Sequence, residues 1–323
     1  MISKRQQLEQ WTTVVADTGD LERIAALQPH DATTNPSLLL AAARDERYRH
    51  LLDQARELAR ELGHEGDLAW CTDAFACVAG QAVLGHIPGL VSTEVDARLS
   101  FDTAATVAKA RRLMALYREL DVPAERILIK AAATWEGIQA ARILEEEGVR
   151  CNLTLVFSAE QALAAAEAGA TLISPFVGRI QDWHVKRGLE ITDINQDPGV
   201  QSVREIFHLL KGRGLDTIVM GASFRNAAQI EALAGCDRLT ISPALLGELA
   251  EDDGALSRCL DPDAVVPAEP DGALPTRALN EARFRWSLND NPMACDLLSD
   301  GIRRFAADQR ALESLLTAED IAA

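Results

Sequence analysis

Five lysines occur in the chain, and one stands apart from the others. Lys4 is near the amino terminus, Lys109 lies beside Arg111 and Arg112 in a helical pattern, and Lys186 and Lys211 fall in polar connections. Lys130 alone ends an apolar, β-branched run, Arg126–Ala131, and Ala132 and Ala133 follow. Burial disfavours the charged form of a lysine. A neutral amine can attack a carbonyl carbon and form an imine. Strand alternation puts Leu128 and Lys130 on one face and Ile127 and Ile129 on the other, so outward-packing isoleucines send the amine inward. The competing reading is a buried ion pair between Lys130 and Glu94 or Asp17. Arginine dominates the basic residues elsewhere, which weighs toward chemistry for a lysine at this position.

Carbon–carbon cleavage beside an iminium needs a proton acceptor and a group that handles water. Asp17 and Glu94 are the candidate carboxylates, and two carboxylates in different environments can divide these roles. Asp96 shares Glu94's strand face, so alternation does not choose between them. Asn35 and Asn152 could hydrogen-bond substrate hydroxyls, or be ordinary satisfied amides. Arg179 and Arg225 follow successive strand-like runs, with Ser223 beside the second. A planar guanidinium matches phosphate. One such arginine alone would read as a surface ion pair.

These residues need a frame that gathers them. Eight short apolar runs occur at 12–17, 31–35, 91–97, 126–131, 151–157, 171–176, 217–223 and 239–244, most of them followed by a helical pattern such as Thr103–Leu120 or Ala159–Ala168. Alternating strands and helices imply a parallel sheet, and eight units predict a closed (β/α)₈ TIM barrel. A doubly wound open sheet lacks support, because no G-x-G-x-x-G follows the first run. Barrel sites form at the C-terminal strand ends, where every run carries polar groups. These are Asp17; Thr33, Thr34 and Asn35; Glu94 and Asp96; Lys130; Asn152 and Thr154; Ser174; Ser223; and Ser242. The stretch 36–88 has room for two helices, about Leu38–Leu62 and Leu68–Leu84. Residues 252–275 read as an irregular loop. Helices about Ala278–Leu288 and from Pro292 to about Leu316 then form a C-terminal extension (about 276–318) on one barrel domain spanning 1–323.

The net charge of −17 argues against a broad nucleic-acid surface. With 48% hydrophobic residues the chain can bury a substantial core. No signal-peptide core opens the sequence and no apolar stretch reaches membrane-spanning length, so a cytoplasmic protein without membrane partners is expected. Six cysteines and six histidines are dispersed without C-x-x-C or H-x-x-x-H, so no metal site is expected.

The segments D-A-T-T-N-P-S-L-L (Asp31–Leu39) and I-L-I-K-A-A-A-T-W-E-G-I (Ile127–Ile138) resemble signatures of the transaldolase family. In the expected order so do V-V-A-D-T-G-D (Val14–Asp20), S-T-E-V-D-A-R-L-S (Ser92–Ser100), C-N-L-T-L-V-F-S (Cys151–Ser158), I-S-P-F-V-G-R-I (Ile173–Ile180), M-G-A-S-F-R-N (Met220–Asn226) and D-N-P-M-A (Asp290–Ala294). The resemblance is to the longer members, not to the short fructose-6-phosphate aldolase-like ones. It implies a circularly permuted class I aldolase barrel that transfers a dihydroxyacetone unit between phosphorylated ketoses and aldoses in the non-oxidative pentose phosphate pathway. It implies Lys130 as the Schiff-base lysine and Asp17 as the acid/base at the C4 hydroxyl. Glu94 would act through a water together with Thr154, and Asn35, Asn152 and Ser174 would surround the dihydroxyacetone part. Arg179, Ser223 and Arg225 would hold phosphate, and Thr33 and Phe176 would line the pocket. No cofactor is implied, because the iminium is the electron sink; a homodimer is common in the family. Ala131 departs from the usual Leu or Ile, and should face the helices. The rival functions are an aldolase releasing free dihydroxyacetone, a metal-dependent aldolase, and a sugar-phosphate sensor without catalysis.

Overall fold

The structure is a computed structural model that describes residues 2–266 and 279–322. Eight parallel strands close a barrel in sequence order: β1 (Thr13–Asp17), β2 (Asp31–Thr33), β3 (Val91–Glu94), β4 (Ile127–Ala132), β5 (Cys151–Val156), β6 (Leu172–Pro175), β7 (Ile218–Gly221) and β8 (Arg238–Ile241), with β1 paired to both β2 and β8. Helix α1 (Lys4–Leu8) precedes the barrel, and α2 (Leu21–Leu27) links β1 to β2. Three helices, α3 (Pro36–Ala43), α4 (Arg49–Glu61) and α5 (Leu68–Leu84), connect β2 to β3. The crossovers that follow are α6 (Thr103–Glu119), α7 (Trp135–Glu146) and α8 (Ala159–Glu167). The β6–β7 link holds α9 (Gly178–Val185) and α10 (Pro198–Gly212), and α11 (Ala227–Glu231) leads to β8. Helices α12 (Pro243–Glu251), α13 (Glu281–Asp290) and α14 (Pro292–Ala322) end the chain.

The eight expected runs all become strands, each ending within a few residues of its expected limit. The expected helix Leu38–Leu62 divides into α3 and α4, because Asp45 caps a short 3₁₀ turn at Glu46–Tyr48 between them. Of the irregular stretch and the C-terminal extension, residues 267–278 lie outside the described residues.

Side chains alternate as strand geometry requires. Ile127, Ile129 and Ala131 join the large apolar core between strands and helices. Leu128 joins Val15, Leu172 and Met220 in a plug inside the lower barrel. The departure at Ala131 therefore faces the helix layer. A third apolar cluster, with Phe157, Phe176, Leu298, Ile302 and Phe305, fixes α14 over the C-terminal mouth. Polar contacts add to it: Ser37 of α3 donates to Asp308, and Arg98 Nη1 gives Glu313 Oε2 a hydrogen bond of 3.1 Å. Among the described residues, no helix is long and apolar enough to cross a membrane.

Candidate active site

Above the apolar plug, the inward positions turn polar. Strand register does the assembling: Glu94 on β3 is the direct neighbour of Lys130 on β4, Lys130 of Asn152 on β5, and Asp17 on β1 of Thr33 on β2. Lys130 is buried, and its Nζ lies 3.0 Å from Glu94 Oε2 and 3.3 Å from the Thr34 carbonyl oxygen. The buried ion pair left open by the sequence is thus present with Glu94, in the same place as the chemistry it was weighed against. Burial holds the Glu94 carboxyl above the usual carboxylate range, opposed by Lys130 and then Arg179. Asp17 is likewise pushed up by its enclosure, against the pull of Lys130, a hydrogen bond from Thr33 and the charge of Arg179. Part of Asp17 opens onto the cavity although protein surrounds it.

Asp96, which alternation could not separate from Glu94, lies beyond the end of β3. It caps the 3₁₀ turn at Ala97–Leu99 and pairs with Arg98, away from the cavity that Lys130 lines.

Beside Lys130, three buried side chains on β3, β5 and β6 form a hydrogen-bonded chain. Ser174 donates to Asn152 Oδ1 at 2.7 Å, and Asn152 Nδ2 donates to Ser92 at 3.0 Å. These two bonds fix which way the Asn152 amide points. Asn35 caps α3, its Oδ1 accepting from the Leu38 amide at 3.0 Å, which leaves its NH₂ group for a ligand. Thr154 Oγ1 is buried with no hydrogen-bond partner in the protein. The register of β5 slips between Leu153 and Val156, and Leu155 takes a left-handed φ of 57°. This bulge keeps Thr154 inward while Leu155 turns to the cluster under α14.

Arg179 opens α9. Its guanidinium lies over Phe176 at 4.9 Å and over Phe305 at 5.6 Å, and its Nη1 is buried with no hydrogen-bond partner. Burial and the nearby charges of Arg304 and Arg225 lower its pKa, against the opposing pull of Asp300 and Glu94. Ser223 adopts a left-handed φ of 63°, and its carbonyl accepts from the Gly178 amide at 2.8 Å. A Cβ on Gly178 would sit 2.4 Å from that oxygen, so only glycine lets α9 start this close to the β7 exit. Arg225 stands at the rim, half exposed, with its Nη2 2.8 Å from Asp182 and its Nη1 3.3 Å from Ser223 Oγ.

A cavity of about 220 Å³ gathers Asp17, Thr33, Asn35, Lys130, Thr154, Ser174, Phe176, Arg179 and Ser223 in its wall. Glu94 and Asn152 lie behind this wall, and Arg225 lies outside it. Thr240 and Phe305 also line it and escaped the sequence reading. Alternation could have found Thr240, since Leu239 and Ile241 face the outer core; Ser242, singled out instead, sits at the start of α12. Phe305 gave no signal, because its helix is remote in sequence. Among the described residues, no group of three or more His, Cys, Asp or Glu side chains is placed to hold a metal ion.

Fold and mouth together put the chain among the (β/α)₈-barrel enzymes, whose sites form where the strands end. A family model described as Transaldolase/Fructose-6-phosphate aldolase matches residues 14–316. The chain is 55% identical over 318 residues to a Transaldolase of Marinobacter nauticus, covering 97% of each chain. It is 54% identical to one of Marinomonas sp., covering 98% of this chain and 99% of the other. It is 51% identical to one of Agrobacterium fabrum, covering 100% and 99%. The chain belongs to the transaldolase/fructose-6-phosphate aldolase family.

Proposed function

We propose that the protein is a transaldolase that moves a dihydroxyacetone unit from a phosphorylated ketose to a phosphorylated aldose through an imine on Lys130. The observation that carries this reading is a buried lysine touching one carboxylate, with a second carboxylate across the same cavity and a guanidinium with a free donor at its mouth.

Lys130 attacks the C2 carbonyl of the ketose as a neutral amine. Glu94, in contact with Nζ and with a carboxyl that burial makes a better proton holder, takes the Lys130 ammonium proton before attack; a proton on the attacking nitrogen then passes to the new alkoxide, and Glu94 returns its own proton to that hydroxyl, which leaves as water. Thr154, whose hydroxyl has no protein partner, orients that water. Asp17 then removes the C4 hydroxyl proton. The C3–C4 bond breaks, its electron pair enters the iminium, and the aldose phosphate leaves. The three-carbon enamine stays on Lys130 until a second aldose phosphate accepts it through the reverse steps. Asn35, Asn152 and Ser174 hold the dihydroxyacetone hydroxyls, with Thr33 and Phe176 shaping the wall. Arg179, Ser223 and Arg225 face the phosphate; binding it requires Arg225 to share its guanidinium with Asp182. The same reading places the enzyme in the cytoplasm, in the non-oxidative pentose phosphate pathway.

Borohydride reduction in the presence of fructose 6-phosphate, followed by peptide mass mapping, tests the central step. An adduct on Lys130 is expected; an adduct elsewhere, or none, overturns the mechanism. Steady release of dihydroxyacetone without an acceptor aldose would overturn the transfer half and leave an aldolase.

A further inference from the structure

Helix α14 reaches the cavity through Phe305. Gly301, one turn earlier, shares that helix face. Both residues meet Arg179. The Phe305 ring lies 5.6 Å from the guanidinium carbon, and a Cβ on Gly301 would come within 3.3 Å of Arg179 Nη1 and 2.7 Å of Leu155 Cδ2. The Phe176 ring lies 4.9 Å from the same guanidinium carbon. The same Phe305 ring is 5.9 Å from Lys130 Nζ. Phe305 is itself buried, and the links from Ser37 to Asp308 and from Arg98 to Glu313 hold its helix in place.

A largely buried arginine must be held in place somehow. A carboxylate partner would hold it but would occupy the N–H donors that an incoming anion needs. Aromatic faces attract the cation without using any donor. At Arg179 two rings take this part, and Nη1 keeps its hydrogens free. The missing side chain at Gly301 leaves room first for Leu155 and then for Nη1.

We propose that Phe305, with Gly301, is a positioning residue that keeps Arg179 aimed into the cavity and so sets the preference for phosphorylated over unphosphorylated sugars. The inference rests on the reading of Arg179 as a phosphate ligand, and the test separates the two. Steady-state kinetics are measured with fructose 6-phosphate and with fructose as donor, for the wild type, Arg179→Ala, Phe305→Leu and the double variant. Arg179→Ala should raise KM for fructose 6-phosphate at least about 10-fold more than KM for fructose, the size of losing charged hydrogen bonds. Phe305→Leu keeps apolar volume but loses the ring. It should lower kcat/KM for fructose 6-phosphate about 3- to 10-fold more than for fructose, and add nothing to that ratio once Arg179 is gone. Phe305→Tyr, which keeps the ring, should restore the wild-type ratio. Gly301→Ala, whose methyl would press on Leu155 and then on Nη1, should reproduce the selective loss, and it carries the test if Phe305→Leu does not fold. If Arg179→Ala acts equally on both sugars, the phosphate reading fails and the inference falls with it. If Arg179→Ala is selective but Phe305→Leu or Gly301→Ala weakens both sugars alike, or adds fully to Arg179→Ala, the inference alone is overturned.

Discussion

The two mouths of the barrel are made by the same eight strands and treat polar groups in opposite ways. At the N-terminal mouth most charges are matched, although Arg150 Nη2 is buried without a hydrogen-bond partner. Asp31 accepts from Arg238 and from the Leu90 amide and touches His30. Asp237 takes Lys211 at 2.7 Å and the Val219 amide at 2.8 Å, and Arg126 donates to the carbonyls of Ile87 and Gly89. At the C-terminal mouth, Thr154 Oγ1 and Arg179 Nη1 are buried without partners, and two carboxyls are held above their usual range around one lysine. The N-terminal cleft is the larger space, about 1000 Å³ against about 220 Å³. Volume therefore does not mark the site; unpartnered donors beside a buried lysine and two raised carboxyls do.

Substitutions at each mouth can break or sharpen this contrast. Lys130→Arg should fold and lose at least about 10³-fold in kcat, because arginine keeps the charge but forms no imine; activity within tenfold of wild type would remove Lys130 from the chemistry. Asp17→Asn should lose about 10²- to 10⁴-fold in kcat yet still yield the borohydride-trapped substrate adduct. Failure to trap would move Asp17 to an earlier step.

The same variant has a stability signature. The folded pKa of Asp17 lies above its unfolded value, so the folded state binds more protons between the two and wild-type stability falls as pH rises through that window. Asp17→Asn should therefore gain on wild type across it, as read from denaturant midpoints at stepped pH. A gap that stays constant with pH would contradict the raised pKa.

Asp31→Asn, at the other mouth, should cost about 3 kcal/mol of stability by leaving Arg238 without its carboxylate. It should leave kcat within about twofold, since the site is distant. A large fall in kcat at unchanged stability would erase the contrast between the mouths. Thr33→Val is the mildest test. It removes the hydroxyl 3.5 Å from Asp17 Oδ1, so Asp17 should titrate higher and the acid limb of the pH–rate profile should move up by about one unit or less, the worth of one hydrogen bond. A limb that moves down would reverse the assigned role.

Much of the site was legible because strand periodicity is local. Lys130, Asp17, Glu94, Asn152 and Thr154 are inward residues of strands, and alternation with apolar neighbours exposes that from the sequence. Asp96 was ambiguous because alternation does not say where a strand stops; the turn it caps ends β3 at Glu94. Arg225 was readable as a rim cation but not as the partner of Asp182, since that pair spans two connections. The break between α3 and α4 escaped because a helical pattern runs across Asp45.

By itself, the sequence determined the order of strands and helices, the face each strand residue takes and hence the inward lysine, because these follow from backbone geometry over a few residues. Its resemblance to one family supplied the division of labour between the carboxylates. Tertiary structure alone decided that Lys130 rests on Glu94 and that Thr154 and Arg179 keep unspent donors. It alone brought Phe305, from a helix almost at the end of the chain, to lie over Lys130 and Arg179. Those facts depend on which residues meet when the barrel closes and α14 folds back across its mouth, and no local pattern encodes a contact between residues so far apart in the chain.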